Sequence, residues 1–159
     1  MKSYKNINDP QRSFVAPFVD KHSKKNEFFS QINELINWKP ITTKLKKIYT
    51  KGLTERGAKA YSPVLLFKMH LISEWYQISD TQTEAMVYDS ISALRFCGLS
   101  LEENVPGHST LSRFKKELID HNALTDLTKE INLQLAEQDL TILPGKSRIN
   151  AKLISKNHK

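Results

Sequence analysis

Apolar residues recur at helical spacing along most of the chain. Between about Glu27 and Trp38 they fall at i, i+4, i+7 and i+8, which predicts a first helix with one inward face. Pro40 ends or restarts this helix, and a second helix is predicted from there to about Thr50. The inward stripe of the second helix is Ile41, Leu45, Ile48 and Tyr49.

The middle of the chain carries clear helix boundaries. Ser62-Pro63 supplies an N-cap followed by proline in the first turn, and the apolar stripe from Leu65 to Tyr76 predicts the most buried helix. Ser79 and Gln82 have the spacing of a capping box, which predicts a helix that continues to Gly98 as its C-terminal stop. The inward positions predicted for that helix are Val87, Tyr88, Ile91 and Leu94.

The final third of the chain begins with two more predicted helices. One starts near Ser109 and separates apolar residues on one side from Ser109, Ser112, Arg113 and Lys116 on the other. The next covers about Ala123 to Gln138. The predicted fold class is therefore mainly α, with several helices.

A short, incomplete β-hairpin is predicted at the end. The apolar runs 140–143 and 149–154 flank the turn signal Pro144-Gly145. Because two strands alone are marginal in water, we interpret the hairpin at 140–159 as the start of a sheet whose remainder is absent. Residues beyond about Ile149 are expected to be poorly packed. A partly ordered basic arm (1–25) and a helical domain (26–139) would precede the hairpin.

Charge is spread unevenly over the 159 residues. The net charge of +7 is distributed as +8 in residues 1–60, −6 in 61–140 and +5 in 141–159, so a polyanion such as DNA would be attracted to the two ends. The single Cys97 is expected to be a small buried thiol. Since no apolar run approaches the roughly 20 residues of a membrane span, we expect a soluble, cytoplasmic protein.

Two elements carry candidate DNA-binding side chains. The helix near Ser109 combines short polar residues with cations, and its N-terminus offers free amides to a phosphate. The second element is a basic helix face and loop within residues 44–59, which could neutralise several phosphates. The candidates are His108, Ser109, Thr110, Ser112, Arg113, Lys116, Lys44, Lys46, Lys47, Lys51, Arg56 and Lys59. By periodicity alone, a solvated outer face is the commoner explanation of such a helix.

Catalytic groupings are not apparent in the sequence. The five histidines show no metal-ligand spacing with each other or with Cys97, and His70 is interpreted as a satisfied core or edge histidine. The adjacent pair Glu102-Glu103 is better explained by a nearby helix N-terminus than by acid/base chemistry. No catalytic residue, metal ligand or cofactor is therefore predicted for this chain.

Several runs of residues carry a family resemblance. They are Arg56-Gly57, Ala60 to Pro63 before the apolar helix, Ser79-Asp80, Leu94 to Leu99, and Val105 to Phe114, of which the last is the most specific. With them, most of residues 30–155 resembles the N-terminal domain of insertion-sequence transposases of the bacterial IS-five group. Gly107 is a small departure, since the family usually has aspartate there.

The resemblance implies a multi-helix DNA-binding domain with helix-turn-helix-like elements at 26–139, which binds the inverted repeats at the ends of an insertion sequence. It also implies a later RNase-H-like catalytic domain, of which residues 140–159 would be the truncated start, that cuts DNA with two Mg²⁺ ions held by carboxylates. The first of those carboxylates would stand where this chain has Asn150, and the others would lie beyond Lys159. We therefore expect a truncated transposase that binds double-stranded DNA and lacks complete catalytic machinery, with Mg²⁺ needed only by a full-length relative.

Two other functions fit the sequence. The stripe from Leu65 to Tyr76 could serve a partner, which would make the chain a protein–protein interaction or multimerisation module in a homo-oligomer or with intact transposase. An active enzyme completed by a second chain is the other alternative.

Overall fold

A computed structural model describes residues 27–50, 61–146 and 150–156. Within these ranges the chain forms seven helices and one two-stranded sheet, so the mainly α prediction with a short hairpin is confirmed. The more specific expectation of helix-turn-helix-like elements stays a prediction. The helices are α1 (Glu27–Leu35), α2 (Lys39–Ile48), α3 (Pro63–Tyr76), α4 (Asp80–Asp89), α5 (Ile91–Phe96), α6 (His108–Asp120) and α7 (Leu124–Ala136), and the strands are β1 (Leu140–Leu143) and β2 (Lys152–Ser155).

Helix α3 lies at the centre of the core. It is apolar on nearly every side, and α2, α4 and α6 pack around it. The stripe from Leu65 to Tyr76 is buried throughout, with Leu66, Phe67 and Ile72 completely inaccessible to solvent. The sequence-based idea that this stripe could serve a partner protein is therefore wrong, because the chain's own helices cover it.

Aromatic rings join the core to α1 and α5. Phe29 of α1 stacks on Phe96 of α5 with ring centroids 5.1 Å apart, and Trp75 of α3 approaches Phe96 at 5.7 Å. Phe28 meets Trp75 edge-on at 5.3 Å. The rings bury large apolar areas, so they tie the short helix α5 to the rest of the domain.

The single helix predicted from Ser79 to Gly98 is interrupted. Ser90 adopts an extended conformation between α4 and α5, and its hydroxyl accepts a hydrogen bond from the Ala93 amide as a new N-cap. The break turns Tyr88 and Ile91 outward, with 75% and 38% of their surface exposed, so the inward positions predicted for these two residues are wrong.

The predicted helix ends of this region are otherwise confirmed. Ser79 and Gln82 form a complete capping box at the start of α4, with both reciprocal hydrogen bonds present. Gly98 has a φ of 84°, and the following amide of Leu99 bonds back to the Leu94 carbonyl. This left-handed turn favours glycine and closes α5.

The hairpin is packed more firmly than the sequence suggests. The strands are antiparallel, with Leu140 opposite Ser155 and Leu143 opposite Lys152. Ala151 is 1% exposed, and the Gly145 amide donates to the Trp75 carbonyl at 2.8 Å. The expectation of poor packing beyond Ile149 is therefore wrong for Ala151 and Leu153, because their side chains lie against the helical core.

None of the helices in the described ranges has the length and apolar character needed to cross a lipid bilayer.

Candidate nucleic-acid interface

Helix α6 is held in the domain by one apolar stripe. Leu111, Phe114 and Leu118 are completely buried and fall at i, i+3 and i+7, as the sequence predicts. The N-cap of α6 is Gly107, which has no side chain to cap the first turn. The capping group must therefore come from another part of the chain.

Glu84 of α4 supplies that cap. Its Oε1 accepts a 2.7 Å hydrogen bond from the His108 backbone amide and lies 2.8 Å from His108 Nδ1. Hydrogen bonds from the His108 ring and amide hold the pKa of Glu84 below its ordinary value. The sequence-based expectation that α6 offers free N-terminal amides to a phosphate is thus wrong for His108, whose amide already binds a carboxylate.

Asp80, one turn earlier on α4, binds the next part of α6. Its carboxylate accepts hydrogen bonds from Ser112 Oγ at 2.6 Å and from Lys115 Nζ at 2.7 Å. Burial alone would raise the pKa of Asp80, but the bonds from Lys115 and Ser112 outweigh burial and lower it. The candidate residues His108 and Ser112 are therefore engaged with α4.

The opposite flank of α6 meets the end of α2. Tyr49, which is 8% exposed, packs edge-on against Phe114 with ring centroids 5.1 Å apart. Burial raises the pKa of Tyr49, nearby Arg113 opposes this rise, and Glu117 adds to it. Arg113 and Glu117 therefore lie close to the tyrosine, at the junction of α2 and α6.

An outward ridge runs along α6 between these two flanks. Ser109, Arg113 and Lys116 are all exposed, and Thr110 is half-buried. The Lys116 ammonium lies 3.8 Å from the Asp120 carboxylate, but its side chain remains 77% exposed, so this ion pair is weak. Five of the six candidate residues on α6 are thus exposed, and three of them form the ridge, while His108 and Ser112 are exposed but bonded to α4.

The second basic element is only partly within the described residues. Lys46 and Lys47 are exposed in the last turn of α2, close in sequence to Tyr49. Lys44 points toward α7, where its ammonium lies 4.0 Å from Asp126. The predictions for Lys51, Arg56 and Lys59 fall outside the described residues.

Sequence reasoning missed the part that acidic residues of α4 play at this surface. Asp80 was explained only by its place beside the capping box, and Glu84 and Lys115 were not singled out. Their spacing carried a signal, since 80 and 84 share one face of α4 and 108, 112 and 115 share one face of α6. Only the packing of α4 against α6 shows that the two faces meet.

Two groups with unusual titration lie away from this surface. His70 is 2% exposed, and neither of its ring nitrogens makes a hydrogen bond, although Nε2 lies 3.5 Å from a Glu74 oxygen. His70 is therefore a core residue, as expected, but the expectation that its ring is satisfied is wrong. Burial lowers the pKa of His70 to about 4. Burial raises the pKa of Cys97 to about 12, which agrees with a buried, unreactive thiol.

No divalent metal site is formed by the part of the chain that the structure describes. Across residues 27–50, 61–146 and 150–156, no group of three or more histidine, cysteine or acidic side chains comes together to hold an ion. Asn150, just before β2, offers a neutral amide that holds hard cations far less well than a carboxylate.

The exposed ridge and its flanks fall within a recognised sequence family. A family model described as Transposase domain (DUF772) matches residues 17–117, more than half of the chain. The chain belongs to this family. The matched region of the transposase domain runs from before α1 into α6, and so includes Tyr49, the carboxylates of α4 and the ridge residues. No solved structure matches the chain significantly. Membership connects the chain with transposition.

Proposed function

We propose that this transposase domain binds double-stranded DNA at the terminal inverted repeats of a bacterial insertion sequence, as its resemblance to the IS-five group implies. The observation that carries the proposal is the ridge of α6, where Ser109, Arg113 and Lys116 stand exposed on a helix anchored on three sides. Small polar groups can approach base edges, and the cations can bind phosphates.

The junction of α2 with α6 supports the proposal. Contact between Tyr49 and Phe114 places Arg113 beside the end of α2, whose last turn exposes Lys46 and Lys47. This arrangement would bring cations of two helices toward one junction. Several phosphates could be neutralised there, with release of condensed counterions.

Gel-shift titration tests this function. The full chain would be titrated into a duplex carrying the inverted repeat that flanks its coding sequence and into an unrelated duplex of equal length, at several salt concentrations. We expect tighter binding to the repeat and a steep loss of affinity with salt. Equal affinity for both duplexes, or affinity indifferent to salt, contradicts the proposal.

We also propose that these 159 residues do not cut DNA by themselves. A two-metal site needs several carboxylates, and Asn150 stands where the resemblance places the first of them. A nicking assay with Mg²⁺ on repeat-bearing plasmid should show no cleavage by the wild-type chain or by Asn150→Asp, which restores only one ligand. Cleavage by either chain would overturn this proposal.

We further propose a regulatory role in the cytoplasm, which would require binding without cleavage. A chain that occupies element ends would compete with intact transposase for them. Added to a transposition reaction run by an intact relative, the wild-type chain should inhibit, whereas Arg113→Ala/Lys116→Ala should inhibit much less. Equal inhibition by both chains would indicate a route other than DNA occupancy, such as mixed oligomers.

A further inference from the structure

Two rows of polar side chains face each other between α4 and α6. Asp80 and Glu84 stand one turn apart on α4, and they bind His108, Ser112 and Lys115, which stand on one face of α6. Glu84 binds the start of α6, while Asp80 binds residues farther along it. The two helices therefore run in opposite directions across this contact, and the carboxylates line one flank of the ridge.

The charges of this flank do not cancel. The Asp80 carboxylate has the Lys115 ammonium 2.7 Å away. The described partners of Glu84 are a backbone amide and an imidazole of His108, and its side chain is 38% exposed. Negative charge therefore reaches solvent beside the N-terminus of α6, where a helix would otherwise attract a phosphate.

The other flank of the ridge carries more positive than negative charge. Arg113 and Glu117 both lie near Tyr49 at the end of α2, and Lys46 and Lys47 are exposed three and two residues before Tyr49. Because exposed charges act over only about 8 Å at physiological salt, a bound phosphate feels mainly the flank it touches. A duplex on the ridge thus meets attraction on the α2 side and repulsion on the α4 side.

We propose that Asp80 and Glu84 are specificity-determining residues, whose carboxylates fix α6 in place and exclude phosphates from its α4 flank, so that DNA binds with its backbone on the α2 side. The inference rests on the proposed DNA-binding function and deepens it. Exclusion from one flank raises specificity because it removes the alternative orientations in which unrelated DNA could bind through charge alone.

Charge can be removed from Glu84 without removal of the cap. Glu84→Gln keeps an oxygen that can accept from the His108 amide, and Glu34→Gln on α1 gives the same change in net charge at an exposed position of a helix that packs on α5. Each full-length variant would be titrated into the repeat-bearing and unrelated duplexes, after thermal unfolding has shown wild-type stability.

We expect Glu84→Gln to bind the unrelated duplex about three- to fivefold more tightly than the wild type, with little change for the repeat. The ratio of the two affinities should fall by the same factor. Glu34→Gln should change both affinities slightly and equally. If Glu84→Gln behaves like Glu34→Gln, or leaves the ratio unchanged, the exclusion role is overturned.

The orientation of the bound DNA relative to α2 and α4 gives a second, independent test. Cys97 is buried and its pKa is raised to about 12, so an introduced surface cysteine would be the reactive thiol to label. A DNA-cleaving iron chelate would be attached to Thr43→Cys on α2 or to the matched Thr81→Cys on α4, both exposed positions. We expect strong cleavage of the bound repeat from position 43 and weak cleavage from position 81.

Equal cleavage from both positions, or stronger cleavage from position 81, would overturn the proposed orientation even if the domain binds the repeat tightly. Failure of the wild-type chain to prefer the repeat or to respond to salt would instead overturn the DNA-binding function, and the inference with it. The wild-type titration and the variant comparison therefore separate the two failures.

Discussion

The ring of Tyr49 meets the ring of Phe114 edge-on, with planes at 77° and centroids 5.1 Å apart. This contact joins the end of α2 to the middle of α6, and so links the α2 part of the second basic element to the first. Loss of the tyrosine ring should therefore weaken the fold and separate the cations at the same time.

Tyr49→Ala should destabilise the domain by roughly 3 kcal/mol, because it removes a buried aromatic ring and leaves a cavity beside Phe114. Tyr49→Phe keeps the ring and serves as the matched control. Urea unfolding followed by circular dichroism measures both variants. If Tyr49→Ala lowers the free energy of unfolding by less than about 1 kcal/mol, the contact between the two rings contributes little to the stability of the domain.

Arg113→Ala should weaken DNA binding and reduce the slope of log affinity against log salt by about 1, as expected for one lost phosphate contact. Folding stability should hardly change, since the side chain is exposed. Lys129→Ala, which removes an exposed cation from α7, is the control and should have a smaller effect. Equal effects of the two substitutions would point to net charge instead of a defined surface.

His70 should make the fold sensitive to mild acid. Its pKa is lowered to about 4 by burial and by Lys115, against a smaller opposing effect of Asp80, whereas in the unfolded chain it lies near the ordinary value of about 6.5. Because the unfolded chain binds the proton more tightly, the contribution of neutral His70 to stability is complete above pH 6.5 and is lost as the pH falls toward 4. The free energy of unfolding should fall by about 3 kcal/mol over this range.

His70→Leu should remove most of that dependence, because no proton can then bind the site. Urea unfolding at several pH values between 7 and 4 measures how the free energy of unfolding depends on pH. His121→Gln, at an exposed position, is the control and should show the same dependence as the wild type. The contribution of Asp80 falls in a different window, since its lowered pKa keeps it charged until more acidic pH. If the stability of His70→Leu falls with pH as steeply as that of the wild type, His70 is not the cause of the acid sensitivity.

Gly107→Ser should stabilise α6 by roughly 0.3 kcal/mol, since serine is a better N-cap than glycine. Space for the side chain exists: a Cβ at position 107 would lie 4.0 Å from Glu84 Oε1. Glu84 binds the His108 amide, whereas a serine at 107 would bind the amide of Ser109 or Thr110, so Gly107→Ser should be about equally stabilising in the wild type and in a Glu84→Ala background. Thermal unfolding of the wild type, the two single variants and the double variant forms the double-mutant cycle, and a coupling free energy above about 0.5 kcal/mol would show that the two caps are not independent.

Local chemistry explains why many elements were predictable. The capping box at Ser79, the glycine turn at Gly98 and the 3.6-residue stripes of α3 and α6 depend on residues within a few positions of each other, so sequence alone defines them. The break at Ser90 was missed because the apolar period continues through it. Only the local cap and the packing of Phe96 against Phe29 favour two helices over one.

The sequence by itself determined the helical class, the stripe that anchors α6 and the polar ridge opposite it, because these follow from the spacing of neighbouring side chains. Tertiary structure alone decided which groups flank that ridge. Glu84 and His108 are far apart along the chain and meet only when α4 packs against α6, and Tyr49 reaches Phe114 only across the core. Long-range packing sets these distances, and no local pattern encodes them.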